Sequence, residues 1–172
     1  MKLIVADDFF SDFERIENEF KKIKLHNIEN FNKLSGEKQN WPGLRSLRLD
    51  QESPFLFNLT LKELNEKLQF GKLMGNKKFN FFLHTHLRLN EDQDWIHKDH
   101  SYCSIIVYLN TNLDSGTAFF HEETNEPNMI VNAVKNRCIL FDSSVRHKSL
   151  KNYGNDLNDG RLTLNGFFFL NG

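Results

Sequence analysis

His97 and Asp99 stand two residues apart in the stretch DWIHKDHSYCSIIVYLN, Asp94 to Asn110, just ahead of a β-branched run. In extended backbone, side chains at i and i+2 project to the same side. An imidazole nitrogen and a carboxylate oxygen can then reach one point, which suits a divalent metal ion. A third ligand must come from elsewhere, and His84, His86, His100, His121 and His147 could each supply it. His147 fits best. It follows the run RCILFD and lies 48 residues after Asp99, enough chain for the intervening strands to return to the same end of a barrel.

Two histidines and one carboxylate on one side of a metal leave three coordination positions open. That arrangement is characteristic of non-heme Fe(II) oxygenases, whereas structural zinc sites close with four protein ligands. Arg161 follows His147 by 14 residues, in GRLTLNGFFFL, and shares a strand face with Thr163, Asn165 and Phe167. An inward-facing arginine is costly unless it meets an anion. A dicarboxylate chelating the metal at one end would offer its other carboxylate to Arg161 as a bidentate partner, with the Thr163 hydroxyl as a second donor.

A further cationic row lies upstream. In KFNFFLHTHLRLN, residues Phe79, Phe81, Leu83, Thr85, Leu87 and Leu89 alternate with Asn80, Phe82, His84, His86 and Arg88. This alternation predicts a half-buried strand. Its polar face is either solvated or turned into the mouth of the barrel. In the second case Arg88 holds the cosubstrate or an anionic group of the substrate. Trp95 and Tyr102 flank the metal motif and either line that mouth or pack as aromatics.

These residues need a scaffold. LIV at Leu3–Val5 reads as a short strand. SDFERIENEFKKIKL reads as a helix, with Ser11 as N-cap and Glu14 at the capping-box spacing. Residues His26 to Pro54 are mixed, and LFNLTLKELNEKLQF predicts a second helix with Leu61, Leu64 and Leu68 on one face. After Gly75 come about seven to eight short strands, including CSIIVYLN, GTAFFHEE, MIVNAV, RCILFD and RLTLNGFFFL. Helices first and strands after predict an α+β fold with a sandwich or barrel of antiparallel strands.

At this point the chain resembles the 2-oxoglutarate/Fe(II)-dependent oxygenases. The matching residues are HKD at His97–Asp99, His147, and RLT at Arg161–Thr163. GTAFFHEE resembles the glycine-led strand between the two halves of the triad, and RCILFD the strand leading to the distal histidine. VADDFFSD resembles the N-terminal start of the prolyl-4-hydroxylase-like branch. The chain departs from that branch at Leu89, where a tyrosine is usual, and in lacking a glycine on the strand before the motif.

The resemblance implies a double-stranded β-helix, or jelly roll, of about eight antiparallel strands over residues 76–172. Residues 1–75 would add an N-terminal strand and helices packed on one sheet, the whole forming one domain. It further implies Fe(II) held by His97, Asp99 and His147, and 2-oxoglutarate held by Arg161 and Thr163, with Arg88 added as a cosubstrate-binding candidate from its place on the polar strand face. O2 would be the oxidant and ascorbate the reductant. The reaction implied is hydroxylation of a peptide side chain or small molecule, with 2-oxoglutarate decarboxylated to succinate and CO2. Two other readings remain open: a jelly-roll binding module without catalysis, and a cupin-like metalloprotein that does not use 2-oxoglutarate.

The totals agree with such a protein. The 172 residues suffice for one domain with a sizeable core, and 39% hydrophobic with 26% charged residues is ordinary for a globular chain. The net charge of −1 gives no basic excess to favour nucleic acid. No run approaches the roughly 18 apolar residues of a membrane span, and acids follow the first apolar run at once, so the expectation is a cytoplasmic protein. Cys103 and Cys138 each sit in an apolar run and are expected as reduced core residues. The abundance of Phe, Asn and Lys points to an AT-rich bacterial or viral genome. Oligomeric state is not legible.

Overall fold

A computed structural model describes residues 3–171. In chain order the elements are β1 (Leu3–Ala6), α1 (Phe13–Phe20), α2 (Ile28–Ser35), β2 (Leu44–Arg45), α3 (Leu49–Glu52), α4 (Pro54–Leu68) and α5 (Phe70–Met74). They are followed by β3 (Phe79–Arg88), β4 (Cys103–Tyr108), β5 (Asn112–Phe120), β6 (Pro127–Ala133), β7 (Cys138–Asp142), β8 (Arg146–Ser149) and β9 (Arg161–Leu170).

The strands form two antiparallel sheets, one ordered β1-β7-β4-β9-β3-β2 and one ordered β6-β5-β8. The smaller sheet is extended past β8 by a single antiparallel bridge between His97 and His147. With that bridge, the core strands of each sheet number four: β7, β4, β9 and β3 in one, and β6, β5, β8 and the His97 segment in the other. This is a double-stranded β-helix, with β1 and β2 added at the two edges of the larger sheet.

Alternation along the larger sheet separates two environments. Cys103, Ile105 and Val107 of β4, Cys138 and Leu140 of β7, and Leu164 and Phe168 of β9 face outward. There they pack with Phe81 and Leu83 against Ile16, Phe20, Leu56, Leu64, Leu68, Phe70 and Met74 from the helices. Gly166 keeps this layer tight, because a Cβ there would come within 2.6 Å of the Phe81 ring. The helices thus cover one sheet and leave the interior between the sheets open. Ile106, Tyr108, Ile139 and Phe141 face that interior and meet Phe119, Val131 and Ala133 of the smaller sheet. Cys103 and Cys138 are buried free thiols.

Several local expectations are corrected. The α1 N-cap is Asp12, whose carboxylate accepts the Arg15 N–H at 3.2 Å, and not Ser11. Ser11 instead donates its backbone N–H to the buried Glu63 carboxylate of α4 at 3.2 Å. Helix α1 stops at Phe20, short of the predicted Leu25. The mixed segment contains α2, capped by Asn27 and terminated by Gly36 in a left-handed conformation, and the short α3. A left-handed Gln69 ends α4 and separates it from α5. No helix among the described residues is long and apolar enough to cross a membrane.

Candidate active site

The His97–His147 bridge carries two backbone hydrogen bonds. His97 N donates to His147 O at 3.0 Å, and His147 N to His97 O at 2.8 Å. The two imidazoles lie on one side of the bridge with ring centroids 4.5 Å apart. Each ring is anchored in the same way. His97 Nδ1 lies 2.8 Å from Trp95 O and His147 Nδ1 lies 2.9 Å from Val145 O, in both cases the carbonyl two residues back. A carbonyl can only accept, so Nδ1 carries a proton, and in the neutral ring Nε2 is left with the lone pair.

Both lone pairs are aimed toward Asp99. Its Oδ1 lies 3.8 Å from His97 Nε2, and its Oδ2 lies 3.6 Å from His147 Nε2. One ligand atom from each of the three residues falls within 4.8 Å of the others. The carboxylate is itself oriented: Ser104 Oγ donates to Oδ2 at 2.6 Å, and Asp99 N donates to Ser143 O at 3.0 Å. Ser104 belongs to a trio of hydroxyls, 2.8 Å from Ser143 Oγ, which is in turn 2.7 Å from Ser101 Oγ. Burial is the main cause that lowers the His147 pKa, against the raising influence of Asp99, and this favours the neutral, ligating imidazole. The donor set fits a divalent cation: two imidazoles, one carboxylate, and an open side.

That open side is a cleft of about 580 Å³ between the sheets. Its wall includes His84, His86 and Arg88 of β3, Arg161, Asn165 and Phe167 of β9, and Arg45 of β2. The register explains the grouping. Arg45 is opposite His86, His86 opposite Thr163, Arg88 opposite Arg161, and His84 opposite Asn165. The polar face of β3 is therefore not solvated: His84, His86 and Arg88 are each under 10% exposed. Of the two expectations for this face, the barrel mouth is the one observed: all three line the cleft, and Phe31 and Trp41 pack against the His84 and His86 rings.

Arg161 is buried, donates to Gly116 O at 3.3 Å and leaves Nε without a partner. Arg88 likewise has an unpartnered buried nitrogen. Burial lowers the Arg88 pKa to about 10 and the Arg45 pKa to about 9. No carboxylate lies within ion-pair distance of Arg45, Arg88 or Arg161 among the described residues. Thr163 is fully buried with an unpartnered hydroxyl, in the row between His86 and Tyr108, but it does not line the cleft.

Of the rival histidines, His100 lines the cleft outside the three-ligand cluster, and His121 is exposed on a turn where its carbonyl accepts from Arg146. Trp95 lines the cleft, whereas Tyr102 packs on Phe79 on the far side of the sheet. Sequence reasoning missed Ser104, Arg45 and Trp41. The first sits in an apolar strand run, Arg45 belongs to a two-residue strand too short to show periodicity, and Trp41 lies just ahead of that strand.

The class defined so far is a double-stranded β-helix with a metal-capable triad at the mouth and a cationic wall inside. No protein-family model matches the chain, and no curated protein matches it by sequence. Solved structures do match in fold. A 2OG-Fe(II) oxygenase family oxidoreductase from Burkholderia pseudomallei aligns over 97% of this chain and 84% of its own, at 14% identity and TM-score 0.63. HygX from Streptomyces hygroscopicus, solved with nickel and 2-oxoglutarate bound, aligns over 97% and 82%, at 13% identity and TM-score 0.64. A Pseudomonas putida prolyl-4-hydroxylase aligns over 99% and 93%, at 19% identity and TM-score 0.53. Across nearly its whole length, then, the chain is folded like these oxygenases.

Proposed function

We propose that the chain is a 2-oxoglutarate- and Fe(II)-dependent dioxygenase that hydroxylates a small molecule or a peptide side chain. One observation carries the proposal: three ligand atoms within 4.8 Å of one another open onto a cleft whose far wall holds buried, unpaired arginines. A lone metal site has no use for those arginines, and a lone anion site has no use for the triad. A dicarboxylate spanning the cleft uses both.

In this assignment His97, Asp99 and His147 hold Fe(II) through Nε2, a carboxylate oxygen and Nε2. Iron with 2-oxoglutarate and O2 supplies the oxidation of a substrate C–H bond, 2-oxoglutarate leaving as succinate and CO2, with ascorbate as the reductant that maintains Fe(II). The protein orients and desolvates. Arg161 receives the distal carboxylate of 2-oxoglutarate as a charge-assisted pair, with Arg88 directly across the strand pair as its companion; Thr163, off the cleft wall, is not part of this contact. Ser104 keeps the Asp99 carboxylate turned toward the two imidazoles. His86, whose pKa burial holds well below its ordinary value, stays neutral and adds no further positive charge to the wall.

The fold relatives support the chemistry by shape, HygX having been solved with 2-oxoglutarate in place. The buried free thiols agree with a cytoplasmic setting. The test is succinate formation from 2-oxoglutarate by protein supplied with Fe(II) and ascorbate, with and without candidate substrates. Succinate lost in His147→Ala and in Arg161→Ala supports the proposal. Metal binding without succinate under any substrate would instead fit a cupin-like metalloprotein or a binding module.

A further inference from the structure

The proposed cosubstrate accounts for one anion at the arginine wall, and the wall is built for more than one. Arg88 and Arg161 face each other in register and suit a single distal carboxylate. Arg45 lies one row away, opposite His86 on the short edge strand β2. Its guanidinium sits over the Trp41 ring, 4.4 Å from the centroid, and His86 stacks on the same ring at 6.1 Å with an interplanar angle of 26°. Arg45 Nε and Trp41 Nε1 are both buried and both without a partner. Each of these groups can only donate, so the pair requires an acceptor, and the cationic one favours an anion.

Among the described residues no side chain fills that role. The carboxylates that act on Arg45 from a distance are Asp99 and Glu37. Asp99 is committed to the triad, Glu37 accepts from Gln39 Nε2 at 2.9 Å, and neither reaches ion-pair distance of Arg45. Arg88 repels Arg45, so the two guanidiniums do not stabilise one another. A half-buried guanidinium whose Nε is buried and unpaired, beside a second guanidinium, persists at a cost unless a ligand repays it. Arg45, Trp41 and His86 line the same cleft as the metal triad. A cleft of about 580 Å³ is in the range that takes a drug-sized ligand, which leaves room beside a five-carbon diacid.

We propose that Arg45 and Trp41 form a second oxyanion subsite, which selects a substrate bearing a carboxylate or phosphate group and seats that group away from the metal. This deepens the oxygenase assignment and rests on it: the subsite determines which molecule is presented, whereas Arg161 and Arg88 determine whether 2-oxoglutarate binds.

The experiment uses the full chain under argon, loaded with Mn(II) and saturated with 2-oxoglutarate, titrated calorimetrically with inorganic phosphate and separately with acetate. Wild type is expected to bind at least one of the two saturably, and the tighter probe tells phosphate from carboxylate. Arg45→Gln should weaken that binding at least tenfold while 2-oxoglutarate affinity stays within twofold. Trp41→Phe, which keeps the ring and removes only the N–H, should weaken it severalfold and guards against a folding defect in Arg45→Gln. The subsite is refuted if neither anion binds wild type saturably, if Arg45→Gln and Trp41→Phe both bind as wild type does, or if Arg45→Gln loses 2-oxoglutarate itself. Failure of the oxygenase assignment reads out separately, as wild-type protein with Mn(II) that takes up no 2-oxoglutarate before any probe is added.

Discussion

His97 and His147 face each other across one antiparallel bridge, and each hydrogen-bonds the other's backbone, at 3.0 and 2.8 Å. The two imidazoles are thereby positioned by main chain rather than by flexible loops. Their Nδ1 contacts to Trp95 O and Val145 O then fix which nitrogen faces Asp99. Only the carboxylate depends on a side chain for its orientation, and that side chain is Ser104.

Ser104→Ala should therefore weaken Mn(II) or Fe(II) binding by about 10–100-fold, the usual effect of removing a group that orients a metal ligand, without unfolding the protein. His97→Ala, Asp99→Ala or His147→Ala should abolish binding of about one equivalent of metal. Calorimetric titration of each variant measures both. Unchanged affinity in Ser104→Ala would mean that the bridge alone organises the site. Unchanged affinity in His147→Ala would hand the third position to His100.

Arg161→Ala should cost about 2–5 kcal/mol of 2-oxoglutarate affinity, the range for truncating one partner of a buried charge pair, with metal affinity near wild type. Arg88→Ala should also lower cosubstrate affinity or coupled turnover while leaving metal binding intact. Competition binding of 2-oxoglutarate in the presence of Mn(II) measures the effect. A 2-oxoglutarate affinity in Arg161→Ala equal to that of wild type would remove the arginine from the cosubstrate site.

The metal-free protein should lose stability as pH falls below about 6.5. Burial pushes the His84 pKa down from 6.5 to about 4, and the His86 pKa is lowered in the same direction. Between those values the unfolded chain binds protons that the folded chain refuses, so acid favours unfolding across that window. At pH 5 the loss from His84 alone is roughly 2 kcal/mol, at about 1.4 kcal/mol per pH unit. Urea unfolding at pH 7.5 and pH 5 measures it, and equal midpoints would show that these rings reach solvent.

Gly116 sits at φ +152 on β5, and a Cβ there would lie 2.0 Å from Val131 O. Its carbonyl also accepts from Arg161. Gly116→Ala should lower the melting temperature through backbone strain of about 1–3 kcal/mol plus the steric clash, and should disturb 2-oxoglutarate affinity with it. A variant that melts with wild type would show that β5 and β6 part easily at this point.

The sequence carried the triad because His97, Asp99 and His147 fall at strand ends, where spacing and chemistry both register. It carried the paired faces of β3 and β9 because alternation there runs for ten residues. It left open whether His84, His86 and Arg88 meet solvent or the barrel mouth, since alternation tells which residues share a face and not what covers that face; the structure places all three on the cleft wall. Strand β8, RHKS, contains no apolar residue and is held by backbone pairing to β5 and His97, so no hydrophobic pattern announces it. Asp12 and Ser11 are adjacent capping residues, and the choice between them is settled by Glu63, 52 positions away. Arg45 and Trp41 become a pair only when β2 docks beside His86.

The central claim is that one cleft holds Fe(II) and 2-oxoglutarate together. Its most direct measurement is the visible absorption of Fe(II)-loaded protein under argon as 2-oxoglutarate is added. Chelation of the triad-bound iron by the keto acid should give a saturable charge-transfer band at one equivalent per chain, weakened in Arg161→Ala and absent in His147→Ala. Fe(II)-loaded wild-type protein that develops no band at any 2-oxoglutarate concentration would contradict the account.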